Sequence, residues 1–184
     1  MNNAWLLIDG YNIVKPSAPP RRGGDNRWLH RERMLLLSRL AEHLPAVVRD
    51  KTLVVFDAKD PPPGVADALE HETIRVRFAV EHDEADDLIE ELIAEHSAPK
   101  RLMVVSSDNR LRTAASRRGA SVANSDEWID ALVDGVVRLA VEVPGEDGDG
   151  SHSGGGGVRR GGGSEGAGDS GLGDVDWMSE FGLD

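Results

Sequence analysis

The sequence predicts an α/β protein, a three-layer sandwich whose central, mostly parallel sheet is covered by helices on both faces. Two observations lead there. Apolar runs of strand length occur at 4–8 (AWLLI), 52–56 (TLVVF), 74–80 (IRVRFAV), 102–106 (LMVVS) and 121–123 (SVA). They alternate with segments of helical spacing at 28–49, 64–71, 84–97, 110–118 and 126–140. Most of the runs are near-continuous Val, Ile and Leu, the pattern of strands buried on both faces. IRVRFAV departs from it. Arg75 and Arg77 alternate with apolar neighbours there, which predicts a half-exposed edge strand.

The composition changes sharply at Pro144. Residues 144–184 hold fifteen of the 21 glycines, nine acidic side chains and only two basic ones, a net charge of −7 against −5 for residues 1–143. Gly and Ser stretches of this kind bury too little apolar surface to offset the entropy of ordering. The expected organisation is therefore one folded domain over 1–143, a disordered, flexible acidic linker over 144–174 and a terminal segment over 175–184. That last segment, VDWMSEFGLD, places Trp177, Met178 and Phe181 where one face of a short helix could meet a protein partner. The other reading is an acidic terminus that keeps the protein dissolved.

Several functions are excluded early. With no cysteine there is no disulfide framework, thiolate metal site or cysteine nucleophile. No apolar run approaches the ~20 residues a membrane span needs, and MNNAWLLIDGYN meets Asp9 before any long apolar stretch. The expectation is a cytoplasmic protein without a membrane segment. No G-x-G-x-x-G or G-x-x-x-x-G-K-[ST] follows any strand, so nucleotide binding of the Rossmann or P-loop kind is excluded. No Ser–His or Cys–His pair is evident, and the six histidines are expected to be surface residues, with His82 nearest the acids.

Three strands end in the same way, LLID at Asp9, VVFD at Asp57 and VVSSD at Asp108. Ligands of open parallel sheets bind beyond the carboxyl ends of the strands, so neighbouring strands would bring these carboxylates to one crevice. A further cluster, Asp83, Glu84, Asp86 and Asp87, opens the helix HDEADDLIEELIAEH. The helix dipole favours such acids without any function. At 3.6 residues per turn, Ala85, Leu88, Ile89, Leu92 and Ile93 form the buried stripe and Asp86 lies at its edge, while Asp87, Glu90 and Glu91 form a solvated face. Crowded carboxylates repel unless a cation sits among them, and all-oxygen donors suit Mg²⁺ or Mn²⁺. Such ions could activate water and stabilise charge on a phosphodiester.

Basic residues flank the acids. Arg21, Arg22 and Arg27 lie in or after the loop PSAPPRRGGDN, with Arg31 and Arg33 on the next helix. Arg110, Arg112, Arg117 and Arg118 follow Asp108. A negative pocket between positive shoulders fits a metal-assisted nuclease, with cations positioning the backbone of the substrate.

Taken together, LLIDGYNIV, VVFDA, EADDLIEEL and VVSSDNRLRTAASRRGA, in this order and spacing, resemble the YacP-like branch of the NYN domains, within the PIN-like nuclease superfamily. The likeness covers about residues 4–138. It implies a PIN-like α/β/α fold and Mg²⁺- or Mn²⁺-dependent cleavage of RNA, single-stranded or messenger. Carried over by motif, Asp9, Asp86 and Asp108 would be the metal ligands and catalytic acids. Asn12 would orient Asp9 or touch substrate, Ser107 would bond a ligand or phosphate, and Asp57 would support the ligands from behind. Asp126, after the fifth strand, could add a further acid, although Ser125 and Asp126 also read as a helix cap. Arg110 with Arg21 and Arg22 would steer the RNA. Longer relatives carry an extended charged helical region at their C-terminus, whereas this chain runs into glycine. The expected function is a metal-dependent endoribonuclease. The alternative is a non-catalytic RNA- or protein-binding module whose tail recruits a partner.

Overall fold

The computed structural model describes residues 3–14, 27–57, 67–137 and 139–141. The loop carrying Arg21 and Arg22, and the linker and terminal segment expected beyond residue 143, lie outside the described residues.

The chain order is β1 (Leu6–Asp9), a single helical turn α1 (Gly10–Ile13), α2 (Arg27–His43), α3 (Ala46–Arg49), β2 (Thr52–Phe56), β3 (Ala68–His71), β4 (Ile74–Phe78), α4 (Ala85–Ala94), β5 (Met103–Val105), α5 (Asn109–Arg118), β6 (Ser121–Ala123) and α6 (Ser125–Val133). The strands form one six-stranded sheet in the order β3-β4-β2-β1-β5-β6, parallel except for the β3–β4 pair. The expected sandwich is present. Leu6, Ile8, Val54, Phe56, Ile74 and Val76 face one core with Leu37 and Leu40 of α2 and Trp128 and Leu132 of α6. Leu7, Leu53, Val55 and Val104 face the other, against Leu88, Ile89 and Ile93 of α4 and Leu111 and Ala115 of α5. Strands buried on both sides need apolar residues at every position, which is why the alternation of a one-sided sheet is missing. Among the described residues no helix is long and apolar enough to cross a membrane.

Several expectations are corrected. The segment expected to be helical over 64–71 forms the strand β3 over Ala68–His71, antiparallel to β4. β4 is consequently not an edge strand, because β3 covers it. The two are joined by a two-residue turn in which Glu72 and Thr73 both adopt positive φ, 44° and 70°. Such hairpin turns normally show Asn or Gly, and neither occurs here. Glu72 is held instead by an ion pair with Arg49 at 2.9 Å. The long helix expected over 28–49 is broken at Pro45 into α2 and α3. The last helix ends at Val133 rather than 140, as Gly135 at φ 70° closes it, its N–H bonding the Leu132 carbonyl while the Val136 N–H bonds that of Ala131.

One contact fixes how β1 turns into α1. A Cβ on Gly10 would stand 2.3 Å from the Phe56 ring, itself fully buried, so the turn can close on β2 only with glycine. Gly10→Ala is expected to destabilise the fold by about 1–3 kcal/mol through overpacking. In a double-mutant cycle, the same change should cost less in a Phe56→Leu background. Urea unfolding of the four proteins measures it, and purely additive effects would contradict the contact.

Candidate active site

β2, β1 and β5 are neighbours, so the ends of these strands bring Asp57, Asp9 and Asp108 to the same edge of the sheet. Asp9 is the anchor. Its side chain is only 4% exposed, and it is satisfied by donors. Its Oδ2 accepts from Asn12 Nδ2 at 2.8 Å and from the Ser106 hydroxyl at 2.9 Å, and its Oδ1 accepts from the Asn12 backbone N–H at 3.3 Å. Asn12 therefore holds the Asp9 side chain through both its backbone N–H and its amide.

Ser106 is a site residue that the sequence reading does not single out. It is fully buried, and its oxygen also accepts from the Asp108 backbone N–H at 3.0 Å and from Asn12 Nδ2 at 3.2 Å. One hydroxyl thus ties the end of β1 to the turn after β5. The parallel register pairs Ile8 with Val105, so Asp9 and Ser106 come next in line on the same face. That signal exists in the sequence only once the pairing of the two strands is known. Ser107 points elsewhere, its oxygen accepting from the Ser125 N–H at 3.1 Å.

Asp108 caps α5, with Oδ1 accepting from the backbone N–H groups of Arg110 at 2.6 Å and Leu111 at 3.2 Å. Asp86 enters from the first turn of α4. Partial burial, then the charges of Asp9 and Asp108, push its carboxyl from the usual 3.8 up to about 6, and Arg110 opposes them only in part. The three acids therefore share one electrostatic neighbourhood. Asp9, Tyr11, Asn12, Asp57, Glu84 and Asp86 line a cleft of about 460 Å³. Asp57, expected behind the ligands, lines the cleft itself. Asp126 is exposed in the first turn of α6 and is not among those lining residues, and the cap of that helix is Asn124.

The flanking charges are arranged differently from the expectation. Arg110 spans from α5 to α4, its Nη2 lying 2.6 Å from Asp87 and 2.8 Å from Glu90, so these two acids hold an interhelical ion pair instead of a purely solvated face. His82 pairs with Glu91 at 2.9 Å. Arg118 reaches the backbone oxygens of Ile93 and His96 at the end of α4. His96 is not a surface residue. It is 2% exposed, and its Nε2 bonds the Ala4 carbonyl oxygen at 2.8 Å.

Arg33, expected on a basic shoulder, is buried at 3% exposure beneath the site. Its guanidinium lies over the rings of Tyr11, Phe56 and Phe78 at 5.2–5.5 Å, and its Nε donates to the Tyr11 hydroxyl at 3.0 Å. A planar cation stacked among rings suits arginine and not lysine. It braces the residue two positions after Asp9.

Whether a divalent ion fits can be judged from the donors. They are hard oxygens on groups that repel one another, the situation a divalent charge relieves. As placed, no three acid or imidazole side chains among the described residues form a ready ligand group. Asp9 is fixed by its bonds, whereas Asp86 and Asp108 are partly exposed, so any closure around an ion falls to those two. The fit is one of chemistry and charge.

Residues 6–142 match the YacP-like NYN domain family. The chain belongs to that family. The solved structures it is similar to include Rae1 (YacP) from Bacillus subtilis, with 26% identity, a TM-score of 0.51, and coverage of 71% of this chain and 74% of that one. A point mutant of the same Bacillus subtilis protein matches at 25% identity and TM-score 0.49, over 71% of this chain and 75% of that chain. No curated protein matches the sequence. The NYN membership gives the protein a nuclease-type, RNA-related character.

The raised Asp86 carboxyl has a direct consequence. A group whose folded-state pKa lies above its unfolded value favours the fold below about pH 4 and loses that contribution as pH rises through about 6. In EDTA, the wild-type Tm is expected to fall relative to Asp86→Asn between those limits. Mg²⁺ or Mn²⁺ should raise the wild-type Tm more above pH 7 than near pH 5, because ligation requires the ionised acid. Differential scanning fluorimetry over pH reads both effects, and a metal response independent of pH would contradict the assignment. Ser106→Ala, which strips Asp9 and the Asp108 N–H of a buried partner, should cost about 1–3 kcal/mol by urea unfolding.

Proposed function

We propose that the protein is a Mg²⁺- or Mn²⁺-dependent endoribonuclease acting on single-stranded or messenger RNA, with Asp9, Asp86 and Asp108 as the residues that would hold the ion. The observation that carries the reading is the electrostatic coupling of these three acids at one end of the sheet. Three carboxylates from distant segments, one of them driven toward protonation by partial burial and then by the charges of the other two, are destabilising unless a cation or a substrate-bound cation completes the set. Bound there, the ion would supply Lewis-acid activation of water and neutralise charge on the scissile phosphate.

The chain's own residues perform the remaining tasks. Asn12 and Ser106 hold the Asp9 side chain in one orientation. The α5 cap fixes Oδ1 of Asp108 through the backbone N–H groups of Arg110 and Leu111. Asp86, ionised above about pH 6, completes the acidic set, so activity should rise with pH through that range. Asp57 and Glu84 add negative charge to the cleft wall. Arg110 is already engaged by Asp87 and Glu90, so its field at the cleft is weakened, and the steering of RNA falls more heavily on Arg21 and Arg22. Their role, like that of Ser107 and Asp126, belongs to the proposal. So does the recruitment of a protein partner by residues 175–184.

Asp108→Asn is the cleanest test, since Asn is an equally good helix cap. The variant should keep the wild-type Tm within about 1 °C and lose at least ~10²-fold of cleavage on a single-stranded RNA, as should the wild type in EDTA. Asp9→Asn should lose cleavage too, but with some stability, because an amide NH₂ would confront the Asn12 donor. Cleavage by Asp108→Asn at the wild-type rate would refute the reading. RNA binding without cleavage under any divalent ion would leave the non-catalytic binding module.

A further inference from the structure

We infer that Arg110 is a positioning residue for the acidic set: it bonds Asp108 through its backbone and the first turns of α4 through its guanidinium, and so sets the gap between Asp86 and Asp108. The inference rests on the metal-dependent reading above. Both helices start at the acids, since Asp86 lies in the first turn of α4 and Asp108 caps α5. Arg110 is the second residue of α5, and its N–H donates to Asp108 Oδ1 at 2.6 Å. Its Nη2 donates to Asp87 at 2.6 Å and to Glu90 at 2.8 Å. Asp87 follows Asp86 directly, and Glu90 stands one turn beyond Asp86 on the same helix. One residue therefore touches one of the three acids and holds the piece of helix that carries another.

The start of α4 has little else to fix it. Glu84 at its N-cap makes no side-chain hydrogen bond, and its first buried residue is the small Ala85. The start of α5, by contrast, is pinned by Asp108 itself. At the far end of the same helix pair, Arg118 reaches the Ile93 and His96 carbonyl oxygens, so α5 is linked to α4 and its C-terminal turn there as well. An exposed ion pair adds little to stability, but ion ligation responds to donor placement at the level of tenths of an ångström. The effect of Arg110 should therefore appear in ion affinity more than in Tm. Its sign separates positioning from charge. By charge alone, removing a cation beside the acids would tighten the hold on a divalent ion, whereas removing a positioning group loosens it.

The test uses the full chain at about pH 8, where the acids ligate as anions, with Mn²⁺ alone as the probe and its free concentration read by electron paramagnetic resonance. Arg110→Gln is expected to weaken Mn²⁺ binding about tenfold, the low end for groups that orient metal ligands, and to leave Tm within about 2 °C. At saturating Mn²⁺ its KM for a single-stranded RNA should stay within about twofold of the wild type. Asp87→Asn with Glu90→Gln cuts the same link from α4 and should weaken Mn²⁺ to a similar degree, which keeps the test open should Arg110→Gln fail to fold. Adding Arg110→Gln to that pair should change nothing further, whereas by charge alone it would restore part of the affinity. Unchanged or tighter Mn²⁺ binding by Arg110→Gln would overturn the inference and leave the nuclease reading standing. So would a raised KM for RNA with Mn²⁺ affinity intact, the mark of a steering residue. A wild-type chain that binds no Mn²⁺ and shows no metal-dependent cleavage would overturn both.

Discussion

A buried carboxylate at the end of the central strand has to be held by donors, and the site is built around that requirement. Asp9 is almost fully out of water. A polar group in that position is costly unless hydrogen bonds replace its hydration. Asn12 supplies them from the turn that follows and Ser106 from the neighbouring strand, and Ser106 simultaneously fixes the backbone of Asp108. The position of one acid thus determines that of another. Of the three, only Asp86, delivered by a helix from beyond β4, joins without a bond to this network among the described residues, and burial with the charges of Asp9 and Asp108 disfavours its ionisation.

The packing beneath serves the same turn. Gly10 lies against the Phe56 ring, Tyr11 packs edge-on to it at 5.4 Å, and Arg33 lies over both aromatic rings while bonding the Tyr11 hydroxyl. A buried arginine in a hydrophobic layer is costly unless its plane and its N–H groups are both used. Here the rings use the plane and the phenol uses the donors. The turn that carries Asp9 and Asn12 is consequently clamped from the α2 side, while the other side of the sheet stays open to the cleft. The family match covers this part of the chain.

Much of the architecture is legible because burial leaves a mark in one dimension. β1, β2 and β5 are solid apolar runs, and the stripe Ala85, Leu88, Ile89, Leu92 and Ile93 is buried as its spacing requires. Asp9, Asp57 and Asp108 are legible as candidates for the same reason, since each closes an apolar run. β3 is not legible. Four residues with half their side chains exposed carry no burial signal, and its hairpin turn uses Glu and Thr held by a tertiary ion pair rather than residues suited to positive φ. Arg33, His96 and Arg110 look like surface charges in the sequence because what removes them from solvent, or pairs them, comes from other elements.

The amino-acid sequence alone determined which segments are most of the strands and helices and which acids end them, because local propensity and burial period are properties of a short stretch of chain. Tertiary structure decided which strands adjoin, and hence that Ser106 bonds Asp9, that Asp86 feels Asp9 and Asp108, and that Arg110 links α5 to α4. Those facts depend on register and on helix placement, which are set by the packing of all the layers at once and leave no trace in any single segment.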